Sequence, residues 1–78
     1  MKLKKVGLNE TELELGEKTV LVSYSTPVAC HISGEGFFKT DTKWSVTTSK
    51  HITRFLNRHG GSKFEVMPQV WFNQLLGE

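Results

Sequence analysis

Thr47, Thr48, Ser49 and Lys50 put three hydroxyls and an ammonium into four consecutive residues, just ahead of an amphipathic run. A helix opening there leaves its first backbone N–H groups without intrahelical partners. Free N–H groups, hydroxyls and an ammonium are the ingredients of an anion site at a helix N-terminus. Lys50 sharpens the case. A cation in the first helical turn opposes the macrodipole, so stability alone favours Asp or Glu there. A phosphate docked on Thr48, Ser49 and Lys50 removes that conflict. The plainer alternative is that the hydroxyls only cap the helix and Lys50 points to water.

The same segment suggests a second use. Lys50, Arg54 and Arg58 recur every four residues and align along one side of the helix. His51 lies beside them, and Lys39 and Lys43 precede them in the adjoining hairpin. Residues 39–63 hold six basic residues and one acid, Asp41. Lys39, Lys43, Thr48, Ser49, Lys50, Arg54 and Arg58 therefore form the candidate surface for an anionic partner, either a nucleic acid or a phosphorylated ligand. An ordinary solvated helix face shows the same spacing. No helix-turn-helix, zinc-finger or RNA-binding sheet signature accompanies it. The charge is unevenly spread: residues 1–36 sum to −1 and residues 37–78 to +3, within a total of +2. That asymmetry of sign suits a charged partner.

Other chemistry finds little footing. His31, His51 and His59 are scattered, and no nucleophile elbow accompanies the many Ser and Thr residues. Cys30 and His31 are neighbours in one strand, so they face opposite sides and cannot pair. Asp41 is the single aspartate, which thins any triad or two-metal site. One Cys with dispersed His does not make a zinc site, and no glycine-rich phosphate loop is present. The expectation is a chain without catalytic residues, metal or cofactor. Cys30 is expected in a buried strand, behaving as a small hydrophobe.

Trp71 and Phe72 are adjacent on a short terminal segment and cannot both face one core. They mark a candidate partner interface, for a homodimer or for another protein. Core packing is the competing reading. Phe37 and Phe38 pose the same question on a strand.

These residues need a scaffold, and 78 residues supply one domain, 1–78, with a modest core. The first half alternates as strands do. Weak strands are expected over 3–8 and 11–15, with Thr11, Leu13 and Leu15 on one face and Glu12 and Glu14 exposed on the other. The strongest strand covers 19–25 and is broken or bent by Pro27. Strands follow over 28–32 and 37–40, joined by the loop 33–36, and a short one over 43–46. The helix begins with Thr47 or Thr48 as N-cap. It buries Ile52, Phe55 and Leu56 and ends at Gly60 or Gly61. A strand over 63–67 leads to Pro68 at the start of a terminal helix, whose apolar face carries Val70, Trp71, Leu75 and Leu76. The fold class is α+β: a small antiparallel meander sheet of about five strands, one main amphipathic helix and a short C-terminal helix, packed on one face of a curled sheet. No apolar run approaches the ~20 residues of a membrane span. No apolar segment follows the basic start as a secretory signal requires. With its lone cysteine, the chain is expected in an intracellular, reducing setting.

Two segments also carry a resemblance. Thr19-Val-Leu-Val-Ser-Tyr-Ser-Thr-Pro-Val-Ala29 and Phe38-Lys-Thr-Asp-Thr-Lys-Trp-Ser-Val-Thr-Thr-Ser-Lys-His-Ile52 together resemble an uncharacterised family of small proteins of tailed phages and prophages. The resemblance spans roughly residues 3–76, with 68–76 a looser third element. It implies a phage-type accessory protein acting in the cytoplasm of a bacterial host cell, with a host or phage protein as a candidate partner, and carries no functional residues with it.

Overall fold

Alternating apolar residues in the first half build a continuous sheet. The computed structural model describes residues 2–61 and 63–75. Strands β1 (Lys2–Gly7), β2 (Glu10–Leu15), β3 (Lys18–Ser23), β4 (Thr26–Ile32) and β5 (Gly36–Thr40) form an antiparallel meander in chain order. Helix α1 (Val46–Arg58) then crosses to β6 (Glu65–Met67), which lies parallel to β5 with Lys39 opposite Val66. Helix α2 (Gln69–Leu75) closes the order. The fold is α+β with a six-stranded, mostly antiparallel sheet. Leu76, expected on the apolar face of the terminal helix, lies outside the described residues.

The period-two alternation serves both faces of the sheet. Leu21, Val28 and Ala29 pack with Ile52, Phe55 and Leu56 of α1. Val20, Cys30, Ile32 and Phe38 pack with Phe72 on the other side, flanked by Leu13, Leu15, Met67, Trp71 and Leu75. The helices thus cover opposite faces, where a single shared face was expected. The reason lies in β3 and β4, which are apolar on both faces and need a cover on each. Phe55 and Phe72 are fully buried anchors, one per face, each worth roughly 1.5–3 kcal/mol of burial. Phe37 and Phe38 divide as strand neighbours must: Phe37 meets the α1 core and Phe38 the α2 core.

Three local features refine or correct the pattern reading. Of the two outcomes expected at Pro27, the strand is bent and not broken. The register steps from Leu21↔Ala29 to Val22↔Pro27, a bulge that seats proline where the ladder is interrupted. The extra residue, Val28, turns toward α1 with Ala29. Residues 43–46 form no strand, because Asp41 N–H donates to Met67 O at 2.9 Å and the chain then leaves the sheet. Strand β6 is also shorter than the expected 63–67. The helix does end as expected. Gly60 adopts φ +77°, Gly61 N–H donates to Leu56 O at 2.7 Å and Gly60 N–H to Asn57 O at 3.3 Å. This is a Schellman stop with glycine in the left-handed position.

Candidate ligand-binding corner

The start of α1 decides which of the expected residues are available. Ser45 is the N-cap, two residues before the earlier of the two expected threonines, and its Oγ accepts from Thr48 N–H at 3.1 Å. Ser49 N–H already donates to Ser45 O at 3.0 Å. Val46 is therefore the first helical residue and Lys50 falls in the second turn, beyond the strongest part of the dipole. The conflict that suggested a phosphate on Thr48, Ser49 and Lys50 does not arise. Thr48 is buried, and its hydroxyl lies 3.0 Å from Ser23 Oγ.

The basic stripe is altered as well. Arg54 Nη2 donates to Glu10 Oε1 at 2.6 Å, and Arg58 donates to Glu12 Oε2 through Nε at 2.8 Å and Nη2 at 2.6 Å. His59 Nε2 sits 3.0 Å from both oxygens of Glu12. Glu10 and Glu12 are each 2% exposed, where Glu12 was expected in solvent. The strand phase was right, but α1 lies over that face of β2. Arg54 and Arg58 therefore clamp the helix to the sheet. Of the stripe, Lys50 alone forms no ion pair among the described residues.

A polar chain continues inward from Glu10. His51 Nε2 faces Glu10 Oε1 at 3.8 Å, and His51 Nδ1 lies 2.7 Å from Ser23 Oγ. An N–H on Nε2 directed at the carboxylate leaves Nδ1 to accept from Ser23. Thr48 and Ser45, whose hydroxyls are 3.3 Å apart, extend the run to the helix start. Serine, histidine and a carboxylate in sequence also compose hydrolase triads. Here Ser23 is buried and the histidine–carboxylate separation exceeds hydrogen-bond length, so the run reads as a buried polar seam. Glu10 Oε2 has no hydrogen-bond partner among the described residues. Gly7 gives the carboxylate room, since a Cβ there would stand 2.6 Å from Glu10 Oε1.

Two concavities flank the loop that enters α1. A cleft of about 650 Å³ between α1, β5 and β6 is lined by Lys39, Lys43, Ser49 and Thr53 over Leu56 and Phe64, with Asp41 and Asn57 at its sides. Lys39 Nζ stands 4.5 Å above the centre of the Phe64 ring. A smaller pocket of about 250 Å³ is lined by Ser23, Tyr24, Thr26, Val28, Trp44, Ser45 and Thr48. Trp44 Nε1–H donates to Gln69 Oε1 at 3.1 Å, which fixes the ring against α2. The segments 19–29 and 38–52, which carry the resemblance, meet at this pocket.

Residues 1–74 match a family of unknown function, DUF8033. The chain belongs to that family. No curated protein and no solved structure matches it. For this member of DUF8033 the site must therefore be read from geometry.

The structure brings Lys39, Lys43 and Ser49 together in the cleft, leaves Lys50 beside it, and draws Thr48, Arg54 and Arg58 away into internal contacts. Trp71 and Phe72 do not form an exposed patch. Phe72 is fully buried, and Trp71 is half-buried, edge-on to it at 4.9 Å and 5.0 Å from Phe38. A single core cannot take both rings, but the α2 face takes Phe72 outright and Trp71 at its rim. Sequence reasoning missed Glu10, Glu12, Ser23, Tyr24 and Trp44 as partners or walls. One signal was present. Residues two apart on a strand are ~6.8 Å apart, and residues four apart on a helix are ~6 Å apart. Glu10/Glu12 and Arg54/Arg58 therefore match in spacing and sign. Cys30 is buried as expected, and that burial pushes its thiol up to about 12. No helix of the described residues is long and apolar enough to cross a membrane.

Proposed function

We propose that this chain is a non-catalytic binding module that engages an anionic, phosphate-bearing partner through the cleft beside α1. The observation that carries this reading is the lining of the cleft of about 650 Å³. Lys39 and Lys43 stand there with Ser49 and Thr53 hydroxyls and the Asn57 amide, and neither lysine forms an ion pair among the described residues. Asp41 offsets one of the two charges. The basic surface lies on the flank of α1 facing β5 and β6, and no longer includes Arg54 and Arg58. Phe64, part-exposed under Lys39, adds a ring of the kind that accompanies basic grooves for single strands. The setting of a bacterial cytoplasm and a phage-type accessory role belongs to the same proposal and is supported by the sequence resemblance alone.

The test is a salt titration of binding to a single-stranded oligonucleotide. Each neutralised phosphate contributes about 0.7 to the slope of log affinity against log salt. Lys39→Gln/Lys43→Gln should lower that slope by roughly 1.4, and Lys50→Gln by less. Unchanged binding in the double variant, or no binding to the parent chain at low ionic strength, overturns the proposal.

A further inference from the structure

We infer that the pocket between the β3–β4 turn and the start of α1 is a nucleobase subsite, so that one nucleotide places its base against Tyr24 and Trp44 and its phosphate in the lysine cleft. This rests on the cleft reading above and names the ligand that reading leaves open.

The two subsites share a wall. Lys43 lines the cleft and Trp44 the pocket; Ser49 lines the cleft and Thr48 the pocket. Lys43 and Trp44 are neighbours, as are Thr48 and Ser49, and consecutive Cα atoms are about 3.8 Å apart, so the cleft and the pocket adjoin along the loop that enters α1. The pocket holds about 250 Å³, below the roughly 300–1,000 Å³ of sites for drug-sized ligands. That suits one ring system and leaves the phosphate outside it.

The walls are aromatic, exposed and held in place. Tyr24 is 56% exposed and Trp44 49%. Trp44 is tied to Gln69, whose Nε2 donates to Pro27 O at 2.8 Å. Tyr24 has its backbone tied to Asn9 O at 2.8 Å and its ring against His51, centroids 6.0 Å apart. Exposed rings fixed before a ligand arrives reduce the ordering cost of binding. Tyr24 also holds φ 59° at the first position of the two-residue turn between Ser23 and Thr26. Glycine is the ordinary choice for such a position, and a bulky side chain there is strained. Folding does not call for tyrosine at this turn, whereas a stacking surface does. The Thr26 hydroxyl supplies a polar edge for a base, beside the Ser23, Ser45 and Thr48 hydroxyls that bond one another. Ser23 and Thr48 are oriented by the seam that runs to His51.

Trp71→Phe leaves Trp44 as the one tryptophan, and its emission then reports the pocket. In that background, a deoxythymidine 12-mer, an abasic 12-mer of equal charge, thymidine monophosphate and inorganic phosphate are titrated in turn. Base stacking is worth about 1–3 kcal/mol per base, so the 12-mer should bind about 5- to 150-fold more tightly than its abasic counterpart and quench Trp44. Tyr24→Gly, and Trp44→Ala followed by the anisotropy of dye-labelled 12-mers, should erase that difference, and Tyr24→Gly should keep or raise the melting temperature because it relieves the turn. Thymidine monophosphate matching the 12-mer identifies a free nucleotide as the source; a much weaker monophosphate identifies a single strand. Equal binding of both 12-mers with Trp44 unquenched, or base preference surviving in Tyr24→Gly and Trp44→Ala, overturns the base subsite and leaves the lysine cleft standing. Failure of all four probes to bind removes both.

Discussion

Arg54→Met should destabilise the chain far more than Lys50→Met, although both residues sit on the outer side of α1. The Glu10 side chain is 3% exposed and accepts a charged hydrogen bond from Arg54, while Oε2 has no partner among the described residues. Removing one member of a buried ion pair typically costs about 3–5 kcal/mol because a charge is left behind in a poor solvent. Arg54 is itself 55% exposed at its side chain, so water already weakens the pair and about 2 kcal/mol is the better figure. An unfolding entropy near 2.1 cal/mol/K per residue gives roughly 160 cal/mol/K for this length. The melting temperature should then fall by about 12 °C. Arg58→Met should cost about half as much, since Glu12 keeps His59 Nε2 at 3.0 Å. Lys50→Met should stay within about 0.5 kcal/mol, or ~3 °C.

Thermal unfolding followed by circular dichroism reads all three, repeated at high salt. A buried pair is little screened, so the order Arg54, Arg58, Lys50 should persist there. The double change Glu10→Leu/Arg54→Met should recover most of the loss, because an apolar pair of similar volume replaces the charges without leaving one uncompensated. Equal melting temperatures for the three single variants, or a difference that vanishes in salt, would refute the clamp. Arg54 and Arg58 would then return to the pool of cations free for a partner.

Two further outcomes test the fold. Gly60→Ala meets no atom within 4 Å but holds φ +77°, so it should cost about 1 kcal/mol through backbone strain alone, seen as a fall of ~6 °C in melting temperature; no change would deny the Schellman stop. Cys30 loses its thiol proton near 9.0 when unfolded and near 12 when buried. Its contribution to stability is intact below about 9 and is lost as pH rises toward 12, so Cys30→Ala should flatten the alkaline limb of stability against pH; parallel limbs would refute the burial.

Much of the sheet was legible because its signals are local. The five-strand meander, the apolar stripe of Ile52, Phe55 and Leu56, and the glycine stop each follow from a short window of sequence. What escaped depends on which element covers which face. Glu12 alternates correctly out of phase with Leu13, yet alternation cannot say whether the outer face meets water or a helix. The N-cap was misplaced because four hydroxyl residues stand within Ser45–Ser49, and any of them could accept an N–H. Tyr24 is invisible to pattern reading, since its significance is a backbone angle that its residue type does not advertise.

The clamp also limits where function can reside. An arginine that swings to a phosphate abandons its carboxylate. With Glu10 and Glu12 each 2% exposed, that exchange carries the several-kcal/mol penalty of an unpaired buried charge, against a screened contact at the surface. Arg54 and Arg58 therefore cannot supply counterion release at a profit, whatever their spacing suggests. Lys39, Lys43 and Lys50 form no ion pair among the described residues; Lys43 and Lys50 lie toward the end of α1 where the chain enters from β5, and Lys39 stands over Phe64 in the adjoining cleft. Trp44 and Tyr24 stand exposed at that same end. The cations free to act and the rings left uncovered thus converge on one corner, and the arginines hold the helix that forms its wall.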